Sequence, residues 1–154
     1  MSKVDFAKLK KLREETGISF SLCKKALEES DNNIEEAKKK LTKWGAGKVK
    51  EKSGKSTSEG ALFSYVHHNK KVMAVVEIQC ETDFVSGNKE FQQVGQELAM
   101  QIASTNPSDM DDLLSQDYNR DPSKKVKDLL NELVLKIGEN IKIARFMRWE
   151  LGQK

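Results

Sequence analysis

Apolar residues recur along this chain with two different periods, and the changes of period divide it. Over residues 2–44 the spacing is helical. Phe6, Leu9 and Leu12 make one face, Leu22, Cys23, Ala26 and Leu27 a second, and Ile34, Ala37, Leu41 and Trp44 a third. Ser2 with Asp5 resembles a capping box, Thr16-Gly17 closes the first helix, and Ser19 caps the second. Asp31-Asn32-Asn33 is a turn, Asn33 with Glu36 forms another cap pair, and the third helix is expected to run to Gly45. Residues 60–80 switch to a strand pattern: Ala61 to Val66 and Val72 to Ile78 flank a turn at His68-Asn69-Lys70. Helical spacing returns with Phe91, Val94, Leu98, Ala99 and Ile102, and Asn106-Pro107 breaks it. A short acidic helix is expected from Asp109 to Ser115. Asp121-Pro122 reads as the next helix start, with Val126, Leu129, Leu130, Leu133 and Ile137 as the buried face and Gly138 as the stop. Ile141, Ile143, Met147, Trp149 and Leu151 then alternate onto one face of a third strand, interrupted by Arg145.

These periods predict an α+β chain: three helices over residues 1–45, a linker over 46–59, and an α+β core domain over 60–154. The core is read as a three-stranded antiparallel sheet with helices on one side. The stretch 45–59 holds three Gly, three Ser and four Lys, the composition of a mobile linker or a frayed helical extension. Gly54-Lys55-Ser56 imitates the end of a phosphate-binding loop, but Val49 stands where the first Gly is required and no strand precedes it.

Charge sharpens the division. Residues 1–58 carry 15 Lys/Arg against 9 Asp/Glu, whereas residues 59–154 carry 12 against 15. The basic front suits an acidic protein partner, RNA, or a merely solvated face. No apolar run reaches the roughly 18 residues of a membrane span, and the first residues lack the apolar stretch of a signal peptide. Cys23 and Cys80 read as separate reduced thiols, so a cytoplasmic location is expected. His67 and His68 are neighbours, a poor spacing for a metal site. No Ser-His-Asp set, metal-spaced cluster or glycine-rich dinucleotide turn is present, so the reading is non-enzymatic, with no catalytic residues, metal or cofactor.

The stretch Cys80-Glu81-Thr82-Asp83-Phe84-Val85-Ser86-Gly87-Asn88-Lys89-Glu90 stands out, because an acid and a bulky aromatic occupy a strand-to-helix turn. Turn tips normally carry Gly, Asn or Ser. Phe84 is therefore either folded back onto its own core or held out for a partner.

Three segments carry a family resemblance. Thr16-Gly17-Ile18-Ser19-Phe20-Ser21-Leu22-Cys23-Lys24-Lys25-Ala26-Leu27 resembles the first signature of translation elongation factor Ts. Cys80 to Val85 resembles the second, and Lys136-Ile137-Gly138-Glu139-Asn140-Ile141 the third, in order over residues 3 to 150. The resemblance implies a guanine nucleotide exchange factor for elongation factor Tu, with a ubiquitin-associated-like front module. It places Asp83 and Phe84, flanked by Thr82 and Val85, beside the partner's magnesium and nucleotide. Ile137, Gly138, Glu139 and Asn140 would lie near the same face, and Arg13, Phe20 and Lys24 would carry the front-module contact. Many members have Met-Met-Asp where this chain has Phe20-Ser21-Leu22. Short members of the family pair, so a homodimer is expected, with neither membrane nor direct nucleic-acid binding. The alternatives are a ubiquitin-type or acidic-peptide binding module resting on the front helices, or an RNA-binding protein resting on the basic front half.

Overall fold

A computed structural model describes residues 3–153 of the chain. Three helices come first: α1 (Phe6–Thr16), α2 (Phe20–Glu28) and α3 (Ile34–Lys52). Ser2 lies outside the described residues, and the first cap is made by Asp5, whose carboxylate accepts from the N–H groups of Ala7 and Lys8. Gly17 ends α1 at φ 67°, a left-handed conformation that costs glycine no Cβ clash. The side chains of Ser19 and Asn33 cap α2 and α3 as their positions imply. Leu9, Leu12, Ile18, Cys23, Ala26, Leu27, Ala37 and Leu41 are buried together.

The third helix departs from expectation. It does not stop at Gly45 but continues through residues 46–52, expected within the linker. Gly45 serves close approach instead: a Cβ there would stand 2.7 Å from the backbone carbonyl oxygen of Asn131. Its bare backbone lets α3 press against α7 (Val126–Ile137). Val49, in the added turns, packs on the core domain, while Leu135 of α7 is buried with the front module. Both helices thus belong to two hydrophobic clusters.

The core sheet has the order β1-β2-β5, all antiparallel, from β1 (Glu59–Val66), β2 (Val72–Cys80) and β5 (Lys142–Glu150). One face is covered by α5 (Lys89–Thr105), and the buried residues of α7 join the cluster that forms there. Ala74, Val76, Ile78 and Cys80 of β2 meet Phe91, Leu98, Ala99 and Ile102 of α5 in one buried cluster.

Two expectations are corrected here. The alternation in β5 breaks at a register shift, where Ile78 pairs with Ile143 but Glu77 pairs with Arg145, leaving Ala144 as the extra residue. A bulge of this kind flips every later side chain. Ile141 and Ile143 are buried, but Met147, Trp149 and Leu151 stand on the outside at 46%, 65% and 75% exposure, and Phe146 takes the inward place. Asp121-Pro122 also does not begin a helix. After α6 (Met110–Ser115), residues 121–125 form β4, paired with β3 (Asp117–Tyr118), and the helix starts only at Val126. The Asp121 carboxylate accepts from the Ser123 N–H and hydroxyl, which uses its capping capacity within the ribbon. Asp128 caps the Lys125 N–H, and Gln116 O accepts from Val126 N–H.

Candidate functional site

The site begins where β2 ends. Residues 83–86 wind into a one-turn helix, α4 (Asp83–Ser86), before Asn88 caps α5. Successive residues of such a turn point about 100° apart. Val85 goes inward, 7% exposed, and joins the sheet–helix core. Phe84, one position earlier, is thrown outward and is 87% exposed, with the Asp83 side chain also in solvent. The ring is not folded back onto the chain's own core.

A helix start leaves N–H groups without intrahelical partners. Thr82 is the N-cap residue, yet its own side chain makes no cap bond. The Glu139 carboxylate instead ties down the two residues that lead into the turn. The N–H groups of Glu81 and Thr82 each donate to Glu139 Oε1 at 3.1 Å, and the Thr82 hydroxyl donates to Oε2 at 2.7 Å. The bracing is reciprocal, because the Asn140 N–H donates to Glu81 Oε2 at 2.7 Å. The Cys80 thiol donates to Thr82 O at 3.2 Å, and the Ser86 hydroxyl to Asp83 O at 3.0 Å. Burial pushes the Cys80 thiol above its ordinary range, and the Glu139 charge pushes the same way.

The third signature segment therefore lies against the second. Gly138, at φ 81°, ends α7 and is exposed; Ile137 beside it is half-buried. Glu139 and Asn140 are brought to the site but turned inward. Asn140 is buried, and its Nδ2 donates to Lys55 O at 2.9 Å. The face left to solvent here consists of Asp83, Phe84 and Gly138.

The front-module residues form a second cluster. Phe20 is the first residue of α2 and is 45% exposed. Lys24 lies one turn on, its Nζ 3.9 Å from Glu28, and Arg13 sits in the last turn of α1. The Gly17 turn links the two clusters. Lys136, two residues before Gly138, lays its Nζ 3.1 Å from where a Gly17 Cβ would be and 3.6 Å from Glu90.

Sequence reasoning passed over Glu81, Lys136 and Phe6 as site residues. The first two could be suspected only because they adjoin the signature segments. Phe6 had been placed on an inward face, yet is 73% exposed beside Phe20. Among the described residues, no group of three or more His, Cys, Asp or Glu could hold a metal ion. No described helix is long and apolar enough to cross a membrane.

The family model described as Elongation factor TS matches residues 81–154, and that described as Elongation factor Ts, mitochondrial, N-terminal, matches residues 1–46. Elongation factor Ts of Thermotoga neapolitana is 37% identical, covering 95% of this chain and 96% of its own. The protein of that name from Oleidesulfovibrio alaskensis is 34% identical, covering 99% and 100%. That from Nitratidesulfovibrio vulgaris is 34% identical, covering 94% of each. On these likenesses the chain belongs to the elongation factor Ts family, the nucleotide exchange factors of translation elongation.

Proposed function

We propose that this chain binds elongation factor Tu in its GDP form and speeds GDP release by inserting the Asp83-Phe84 turn beside the partner's magnesium and nucleotide. The observation that carries the reading is Phe84, a large ring left 87% exposed on a turn whose backbone is clamped from behind by Glu139. A flexible turn would have to be ordered on binding, and the bonds to Glu139 lower that backbone cost.

Exchange of this kind needs no covalent step. The factor binds the nucleotide-free partner more tightly than the GDP form, and linkage makes the weakening mutual. A coupling of about 3 kcal/mol loosens the nucleotide by roughly a hundredfold. Burying the Phe84 ring can supply about 1.5–3 kcal/mol of this. Magnesium demands near-ideal octahedral oxygen geometry, so small displacements around it are costly. Asp83 brings negative charge and hydrogen-bond acceptors beside the ring. Arg13, Phe20 and Lys24 make the second contact, where the basic front favours an acidic partner surface.

The test is release of fluorescent GDP from elongation factor Tu in excess unlabelled GDP. This protein should accelerate it, and Phe84→Ala should slow the accelerated rate by about tenfold or more while leaving thermal unfolding unchanged. Unchanged release at micromolar protein rejects the reading.

The sheet supports a second proposal, a homodimer through its uncovered face. Leu62 and Val66 of β1 and Met147 and Trp149 of β5 are exposed on either side of Met73 and Val75 of β2. A contiguous apolar patch of this kind marks an interaction surface, and a second copy brings the same patch in an isologous pairing.

A further inference from the structure

The connector between α3 and β1 has almost nothing apolar to hold it. Residues 53–58 lead from Lys52 to Glu59, and no side chain among them is buried. A segment so poor in buried contacts stays in place only through hydrogen bonds. The Lys55 N–H donates to Lys52 O at 2.9 Å, which prolongs the end of α3. Lys55 O in turn accepts from Asn140 Nδ2 at 2.9 Å, across 85 residues of sequence. The Thr57 hydroxyl donates to Gln79 Oε1 at 3.0 Å, and Gln79 Nε2 donates to Glu77 Oε2 at 3.1 Å. Just beyond, Gly60 lies so close to β2 that a Cβ there would collide with the Ile78 carbonyl oxygen. The stretch is fastened along the end of β2, where the exchange turn begins.

Asn140 is buried, and it divides its two donors between two segments. Its backbone N–H goes to Glu81 Oε2 at 2.7 Å, and its side-chain amide goes to the connector. Glu139, one residue earlier, holds the N–H groups of Glu81 and Thr82. Adjacent residues thus fasten the base of the Asp83-Phe84 turn and the exit of the helix that carries the front module. The connector bond needs a donor facing a carbonyl, which an amide supplies and an ionised carboxylate does not.

We propose that Asn140 is a positioning residue of the exchange reaction, its side-chain amide fixing the 53–58 connector so that the front module and the Asp83-Phe84 turn meet the partner as one body. This rests on the exchange-factor reading above and deepens it, placing Asn140 behind the contact face rather than on it. With the connector loose, the last turns of α3 must be ordered at the expense of binding. The loss falls on affinity rather than on the maximal rate. The bonds that clamp the turn, from Glu81 and Thr82 to Glu139 and from the Asn140 N–H to Glu81, involve no atom of the Asn140 side chain.

The test measures fluorescent GDP release from elongation factor Tu against factor concentration, with trypsin cleavage after Lys55 as the local readout. Asn140→Ala should raise the half-saturating concentration about three- to tenfold, leave the maximal rate within about twofold, and speed cleavage at Lys55. Asn140→Asp should do no better. Gly54→Ala should recover part of the lost affinity in the Asn140→Ala background, because alanine restricts a loosened chain and its Cβ would meet nothing within 4 Å. In the wild type, where the connector is already tied, the same change should do little. A direct contact between Asn140 and the partner could not be restored from Gly54, so absence of recovery overturns the positioning role. A fall in maximal rate at unchanged half-saturation overturns it as well, and so does cleavage at Lys55 no faster than in the wild type. Should Asn140→Ala fail to fold, Thr57→Val removes the other tie and decides. It should show the same affinity loss and faster cleavage, and wild-type values for both overturn the proposal. If the wild-type chain accelerates nothing, the exchange reading itself falls and takes this role with it.

Discussion

Glu139 anchors Thr82, the residue from which α4 sets out. Its carboxylate receives the Thr82 N–H at 3.1 Å and the Thr82 hydroxyl at 2.7 Å, from 57 residues away in sequence. The exposed ring of Phe84 is therefore positioned by a group that need not touch any partner. Glu139→Ala should cost about 1–3 kcal/mol of stability, the penalty for stranded donors. It should also lower the maximal exchange rate, with Glu139→Gln restoring part of it. A double variant with Phe84→Ala should exchange no more slowly than Phe84→Ala alone, because both changes disable one device. Additive losses would show that Glu139 acts elsewhere.

Gly45 offers a test of sign. In a solvated linker, Gly45→Ala would stabilise, since alanine is the better helix former by about 1 kcal/mol. Against the Asn131 carbonyl, the added Cβ forces α3 off α7. Overpacking costs typically about 1–3 kcal/mol, so the variant should unfold at lower denaturant. The Gly47 Cβ position meets nothing within 4 Å, so Gly47→Ala is the matched control and should be neutral or stabilising.

The outer sheet face predicts the assembly state. Light scattering at micromolar concentration should give twice the chain mass for the wild type. Trp149→Glu, placing a charge opposite Met73 in the register, should give the monomer mass. A monomeric wild type removes the homodimer from the reading.

The two thiols set an alkaline limit. Cys23 and Cys80 are both held above their ordinary range, chiefly by burial, with Thr16 opposing the rise at Cys23 and Glu139 adding to it at Cys80. The unfolded chain gives up these protons at lower pH than the folded one. The stabilisation is therefore intact below the ordinary thiol pKa of about 8.5 and declines as pH rises beyond it. Thermal unfolding should drop between neutral and alkaline buffer, and Cys80→Ala should flatten part of that drop. Native protein should resist iodoacetamide near neutral pH, and alkylation of Cys80 as fast as of a free thiol would contradict the burial.

Local chemistry was legible in the sequence. Gly17, Ser19, Asn33, Asn88 and Gly138 act at helix ends through their own backbone or side chain, and the hairpin follows from alternation and turn residues. What failed depended on distant partners. Ala144 looks like any strand residue until its pairing with β2 is known, so the reversal that exposes Trp149 was invisible. Gly45 looks like a stop until α7 lies beside it. Asp121-Pro122 has the right residues for a helix start, but Asp121 is spent on Ser123. At the site, the Asp83-Phe84 anomaly was visible as an aromatic in a turn. The inward commitment of Glu139 and Asn140 was not, because it requires two segments far apart in sequence to meet.

The continuation of α3 past Gly45 has a mechanical corollary. A helix rooted in both hydrophobic clusters works as a rigid spacer between the parts of the fold that carry Phe20 and Phe84. The span between the two rings is then a property of the folded chain rather than of a tether, and the proposed reading requires a target that offers a grip to each at that spacing.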